Sequence, residues 1–175
     1  MTDLPKPLAD IWADLSDQRS ILTKALAGLA ADDTLRSPGP DEWNAAQVVD
    51  HLLLAEGFTN QFTIGMVSRA QAAGEAKGFP PELEEFDPLP EPLGMEAPPP
   101  IRPQKELAAQ ELIEALESME AVSRASFEAL STLDPRKYRW PHPLFGELDM
   151  GQWWAVHPMH YRMHIVQAQA ALQSA

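Results

Sequence analysis

From residue 6 to 31 the apolar positions Leu8, Ile11, Trp12, Leu15, Leu22, Leu26 and Leu29 recur at spacings of three and four, with charged residues between them. That is the stripe of an amphipathic helix. The stretch SPGPDEW interrupts it, and Asn44 then opens Asn-Ala-Ala-Gln, a capping box with Gln47 at the third helical position. A second helix is predicted from Ala45 to about Ala73, through the apolar run VVDHLLLAEGF. A third is predicted from about Lys105 to Leu130. It turns Leu112, Ile113, Leu116, Met119, Phe127 and Leu130 inward and leaves Glu111, Glu114, Glu117 and Glu120 as a solvated outer strip. Asp149 caps a fourth helix that reaches about Gln173. No stretch alternates with period two, so no sheet is expected, and four long amphipathic helices imply an all-α four-helix bundle.

Residues 78–103 break this pattern, holding nine of the 17 prolines and six acidic residues with almost no helical periodicity. A segment of that composition stays extended, and a loop of that length inside a compact domain is a crossover or a lid. The whole chain, 1–175, is read as one domain containing this Pro-rich acidic linker.

Composition narrows the function classes. With 13 Lys plus Arg against 26 Asp plus Glu the net charge is −13, which disfavours nucleic acid and anionic membrane surfaces as partners. The absence of cysteine excludes thiolate catalysis by the chain, disulfides and Cys-ligated metals, and suits a reducing compartment. MTDLPKPLADIW lacks the charge and apolar pattern of a signal peptide, so a soluble, cytoplasmic chain is expected.

The chemistry-bearing residues are five histidines. His157, His160 and His164 fall within about 60° of one another on the fourth helix, along the face that also carries Trp153 and Gln167. Residues four apart sit about 6 Å apart along a helix, so His160 and His164 can grip one ion, whereas His157 and His164, about 10 Å apart, cannot. His51 sits on the second helix with Val48, Leu54, Ala55 and Phe58, where a buried imidazole without a partner would be costly. A single interior histidine is more often a hydrogen-bonded core residue than a ligand, but three inward ones on two helices favour a metal at His51, His160 and His164. Nitrogen ligands suit one divalent transition metal, zinc or nickel first, with iron or manganese as alternatives. Asp50 and Glu56 both point more than 90° away from His51, so no carboxylate base accompanies the site as in a His-Glu-x-x-His helix. Gln167 is a candidate hydrogen-bonding partner for His164, or else a buried polar residue touching the first helix. Trp43, Trp153 and Trp154 are read as packing residues, and His142, in WPHPLFG, as structural or exposed. Pro158 either kinks the fourth helix or marks its regular start, with DMGQWWAVH a separate turn.

The segments DEWNAAQVVDHLLLAE and PHPLFGELDMGQWWAVHPMHYRMHIVQ resemble the signatures of the DinB/YfiT-like superfamily. The first matches in its Trp, its capped helix start and its His-Leu. The second matches in its Pro-Phe-Gly turn, its Gln-Trp, and a His-x-x-x-His followed three residues later by Gln. The resemblance implies a four-helix bundle whose metal-binding histidines fall on His51, His160 and His164. Many members carry a further histidine directly before the last ligand, where this chain has Met163. It also implies a metal-dependent hydrolase or a transferase using a small cytoplasmic thiol, and a small molecule as partner; a non-enzymatic metal-binding or stress-response bundle is the alternative. A homodimer is expected, since such bundles pair through helix faces.

His51 lies near the start of its helix while His160 and His164 lie deep in theirs, so the second and fourth helices must run antiparallel for the three to meet. The expected order is up-down-down-up, with the Pro-rich segment crossing the bundle so that the third helix parallels the second.

Overall fold

The computed structural model describes residues 3–75, 78–88 and 96–174. Four helices carry the fold: α1 (Lys6–Leu26), α2 (Ala45–Ala72), α3 (Ala109–Leu130) and α4 (Met150–Ser174). Between α3 and α4 runs a hairpin of β1 (Arg139–His142) and β2 (Gly146–Asp149), antiparallel with Trp140 opposite Leu148.

The hairpin corrects the expectation of no sheet. Four residues per strand are too few to display a period of two, and Pro141 is tolerated because a two-stranded ribbon is all edge. Gly146 supplies the φ of 71° with which β2 begins.

Two helix ends also differ from the periodicity. Helix α1 stops at Leu26, because Ala27 is extended and Gly28 turns to φ 86°; Leu29 packs on the core from the loop instead. Helix α3 begins at Ala109 rather than near Lys105: the Asp50 carboxylate holds the amides of Gln104 and Lys105 in a strap along α2, and Ala108, at ψ 158°, is still extended. The Glu111 carboxylate then accepts from the Ala108 amide at its first turn.

The core is the apolar stripe of each helix closed on the others: Leu8, Leu15 and Leu22, Val48 and Leu52, Leu116 and Phe127, Trp154 and Ile165 are all buried. Each large side chain so removed from water contributes on the order of 2 kcal/mol. Trp154 packs at a tilt against Phe127, ring centroids 4.6 Å apart, and donates its indole N–H to Thr63 Oγ1 at 3.1 Å, so its one polar group is satisfied.

Contacts fix the local register of the helices. Asn44 meets Glu106, Asn60 meets Ser123, and the Gly78 amide meets the Thr132 carbonyl, so paired positions ascend together from α2 to α3. Against α4 they run oppositely: His51 with His160, Thr59 with His157, Thr63 with Trp154. Part of the Pro-rich segment lies against the bundle, Leu83 packing so closely over Gly151 that a Cβ there would come within 3.0 Å of it. The stretch 89–95 of that segment lies outside the described residues.

Candidate metal centre

Both ligand-bearing helices start on reciprocal caps. Asn44 accepts from the Gln47 amide at 2.8 Å while Gln47 Oε1 accepts from the Asn44 amide at 3.0 Å. Asp149 and Gln152 repeat the exchange at 2.9 and 3.0 Å. Helix α4 therefore starts at Met150 and continues through Pro158, and the reading of DMGQWWAVH as a separate turn does not hold.

One turn or more inside those caps, His51, His160 and His164 converge. One ring nitrogen from each lies within 4.8 Å of the others, and among the described residues this is the cluster of three His, Asp or Glu side chains placed to hold an ion. His51 and His160 are buried and His164 is partly exposed, so the cluster opens on the His164 side. His51 Nδ1 donates to the Ile101 carbonyl at 2.7 Å, which puts its lone pair on Nε2, 3.0 Å from His160 Nε2. His164 Nδ1 donates to Gln167 Oε1 at 2.7 Å, which leaves its Nε2 lone pair buried with no hydrogen-bond partner. Trp43 walls the site, its ring 5.1 Å from that of His51.

Burial holds all three rings neutral, the state that ligates metal. It lowers His51 against the opposing pull of the Ile101 hydrogen bond. It drives His160 well below the ordinary range, with the neighbouring histidines adding to the effect. It takes His164 to about 4, with His51 reinforcing and Gln167 opposing.

The residues fit a divalent transition metal: three neutral imidazoles, two with the outer nitrogen already hydrogen-bonded, and one orphaned lone pair pointing inward. His51, His160 and His164 would be the ligands. His157, on the same face, stays out of the cluster. Its Nε2 pairs with Thr59 Oγ1 at 2.9 Å, and burial takes it to about 4. His142 packs between Phe145 and Trp153 in the hairpin, with ring centroids 4.8 and 4.6 Å away.

One expectation about α2 changes. Phe58 is 41% exposed, and the buried face below His51 carries Glu56, Thr59, Asn60 and Thr63 instead. Sequence reasoning missed what this face does. Glu56 accepts from Arg19 Nη2, Ser123 Oγ and, at 2.7 Å, the Tyr161 hydroxyl, and Asn60 bridges Ser123 and Ser126 at 2.9 and 2.6 Å. The signal available was polar residues recurring at helical spacing inside an apolar run. As the sequence implied, neither nearby carboxylate serves the cluster: Glu56 belongs to Arg19, and Asp50 to the backbone of Gln104 and Lys105. A groove of about 470 Å³ between the first turns of α1 and α4, roofed by Leu83 and Phe86, is lined by none of the three histidines.

The model of the DinB superfamily matches residues 14–168, which include all three histidines of the cluster. No curated protein matches the sequence.

Proposed function

The chain belongs to the DinB superfamily, and on that premise we propose that it is a metal-dependent enzyme in which His51, His160 and His164 hold one divalent transition metal, zinc or nickel before iron or manganese. The observation that carries the reading is the convergence of three nitrogens, one of them a buried lone pair without a partner. When bound, such an ion supplies Lewis acidity that activates a small thiol or water towards an electrophilic carbon. The chain's own part is to hold three imidazoles neutral and to fix the outer protons of His51 and His164 on Ile101 and Gln167. Access is left on the partly exposed His164 side. The reaction class is thiol transfer or hydrolysis of a small molecule. A thiol has to arrive as cosubstrate, since the chain has no cysteine. The absence of a carboxylate from the cluster favours a nucleophile that needs no separate base, which a thiol satisfies better than water. That same absence supports the second reading, a metal-binding bundle without catalysis.

The same proposal includes an up-down-down-up bundle, supported by the ascending pairs of α2 with α3 and the opposed pairs of α2 with α4. It also includes a cytoplasmic homodimer, supported by the cysteine-free composition and by exposed Phe58, Ile64 and Trp140; a monomer by light scattering at micromolar concentration removes the dimer. No helix among the described residues is long and apolar enough to cross a membrane.

Elemental analysis tests the site: about one metal per chain is expected, lost in His160→Ala, and full occupancy in that variant overturns the reading. A turnover screen of metal-loaded protein on electrophiles, esters and amides, with and without small thiols, tests the reaction. Silence throughout, with metal bound, selects the non-catalytic bundle.

A further inference from the structure

Asp50 and His51 are consecutive on α2, and both hold the same piece of chain. Asp50 Oδ2 accepts from the backbone amides of Gln104 at 2.6 Å and Lys105 at 2.9 Å, and His51 Nδ1 donates to the carbonyl of Ile101 at 2.7 Å. Asp50 is only 5% exposed, so its carboxylate is committed to these amides rather than to solvent. The strap between the two attachments is short and stiff. Ile101 ends a 3-10 turn that begins at Pro99, the Arg102 amide closes back on the Pro99 carbonyl, and Pro103 fixes its own φ just before the clamped amides. Anchoring Gln104 and Lys105 therefore sets where the Ile101 carbonyl points.

We propose that Asp50 is a positioning residue for the metal centre, acting through the strap: by clamping Gln104 and Lys105 it presents the Ile101 carbonyl to His51 Nδ1 and so keeps the His51 lone pair on Nε2, facing His160 and His164. A neutral imidazole has one ring proton, and the hydrogen bond made by one nitrogen decides whether the other can ligate. With the strap released, the proton is free to move to Nε2, where it blocks coordination. The converse follows by linkage: an ion that binds the Nε2 lone pair favours the docked strap.

The inference rests on the reading that the three histidines hold a divalent ion, but its first test needs no metal. Nitrogen-15 spectra of the His51 ring in metal-free protein should show the proton on Nδ1 in wild type and in Asp50→Asn, whose amide oxygen still accepts both N–H groups, and on Nε2 for a substantial share of Asp50→Ala. Zinc titration should then show about 10- to 100-fold weaker binding in Asp50→Ala, with Asp50→Asn close to wild type. A proton that stays on Nδ1 in Asp50→Ala, or zinc affinity equal to wild type, overturns the proposal. Failure of wild type to take up zinc would sink the metal reading instead, while the ring spectra still decide what Asp50 does. Should Asp50→Ala fail to fold, wild type alone decides: zinc should slow hydrogen exchange at the Gln104 and Lys105 amides at least tenfold, and unchanged exchange there refutes the linkage.

Discussion

His51 and Glu56 lie five residues apart on α2, and their partners His160 and Tyr161 are neighbours on α4, yet the two buried polar clusters they form have opposite balances of donor and acceptor. Glu56 collects donors from Arg19, Ser123 and Tyr161, so its negative charge is answered inside the protein by a guanidinium that also lies 5.3 Å from the Trp12 ring. Burial works against the charge on Arg19, and Glu56 together with Tyr161 and Glu120 more than restores it. At the histidines, the Nε2 lone pairs of His51 and His164 converge on the His160 ring, and among the described residues no charged side chain joins the cluster. The comparison teaches that a buried cluster whose charges are paired from within holds the helices together even with the Arg19 Nε and Nη1 donors left over, while one left open in acceptors asks for something from outside.

The largest effect expected from this contrast is on stability. Glu56→Ala strands the Arg19 charge in the core and should cost about 3 to 5 kcal/mol in urea unfolding, whereas Arg19→Met with Glu56→Leu should recover most of that. A loss under about 1 kcal/mol in Glu56→Ala would erase the distinction.

Next comes acid. His157 titrates near 6.5 when unfolded and about 4 when folded, because it is buried. Between those values the unfolded chain takes a proton that the folded chain refuses. Stability of the metal-free protein should therefore be intact above pH 6.5 and fall by roughly 3 kcal/mol from this residue as pH drops to 4. His157→Gln should flatten that limb of a pH series of melting curves. An unchanged limb would show that His157 is protonated in the fold and belongs with neither cluster.

The smallest effect separates the clusters most finely. Gln167 is exposed and reaches the site through His164. Gln167→Ala should weaken zinc binding about tenfold in calorimetry while leaving metal-free stability unchanged. A melting shift without an affinity change would make Gln167 structural.

The helices, the capped start of α2 at Ala45 and the pairing of His160 with His164 were legible in the sequence because each depends on local spacing, whereas His51, far along the chain from both, joined them through its inward face and the family resemblance. The hairpin was not, since Pro141 and four-residue strands leave no period to find. Gly28 lies inside an apolar stripe that continues to Leu29 although the helix does not. The apolar run that includes Phe58 does not mark the buried face of α2, since Phe58 is 41% exposed. Glu56 and Asn60 point inward, on partners more than 30 positions away that no local pattern reveals. Ile101 was equally hidden, since a backbone carbonyl leaves no mark in a side-chain pattern.

The matched caps of α2 and α4 also act as phase markers. Each locks the angular origin of its helix, four residues before His51 from Gln47 and eight before His160 from Gln152. One residue gained or lost between cap and ligand would swing that imidazole by about 100° and out of the cluster, whereas the same change upstream of Asn44 or within the 78–88 stretch leaves the angle untouched. Length variation is thus disfavoured from Gln47 to His51, from Gln152 to His164 and across the strap from Ile101 to Lys105.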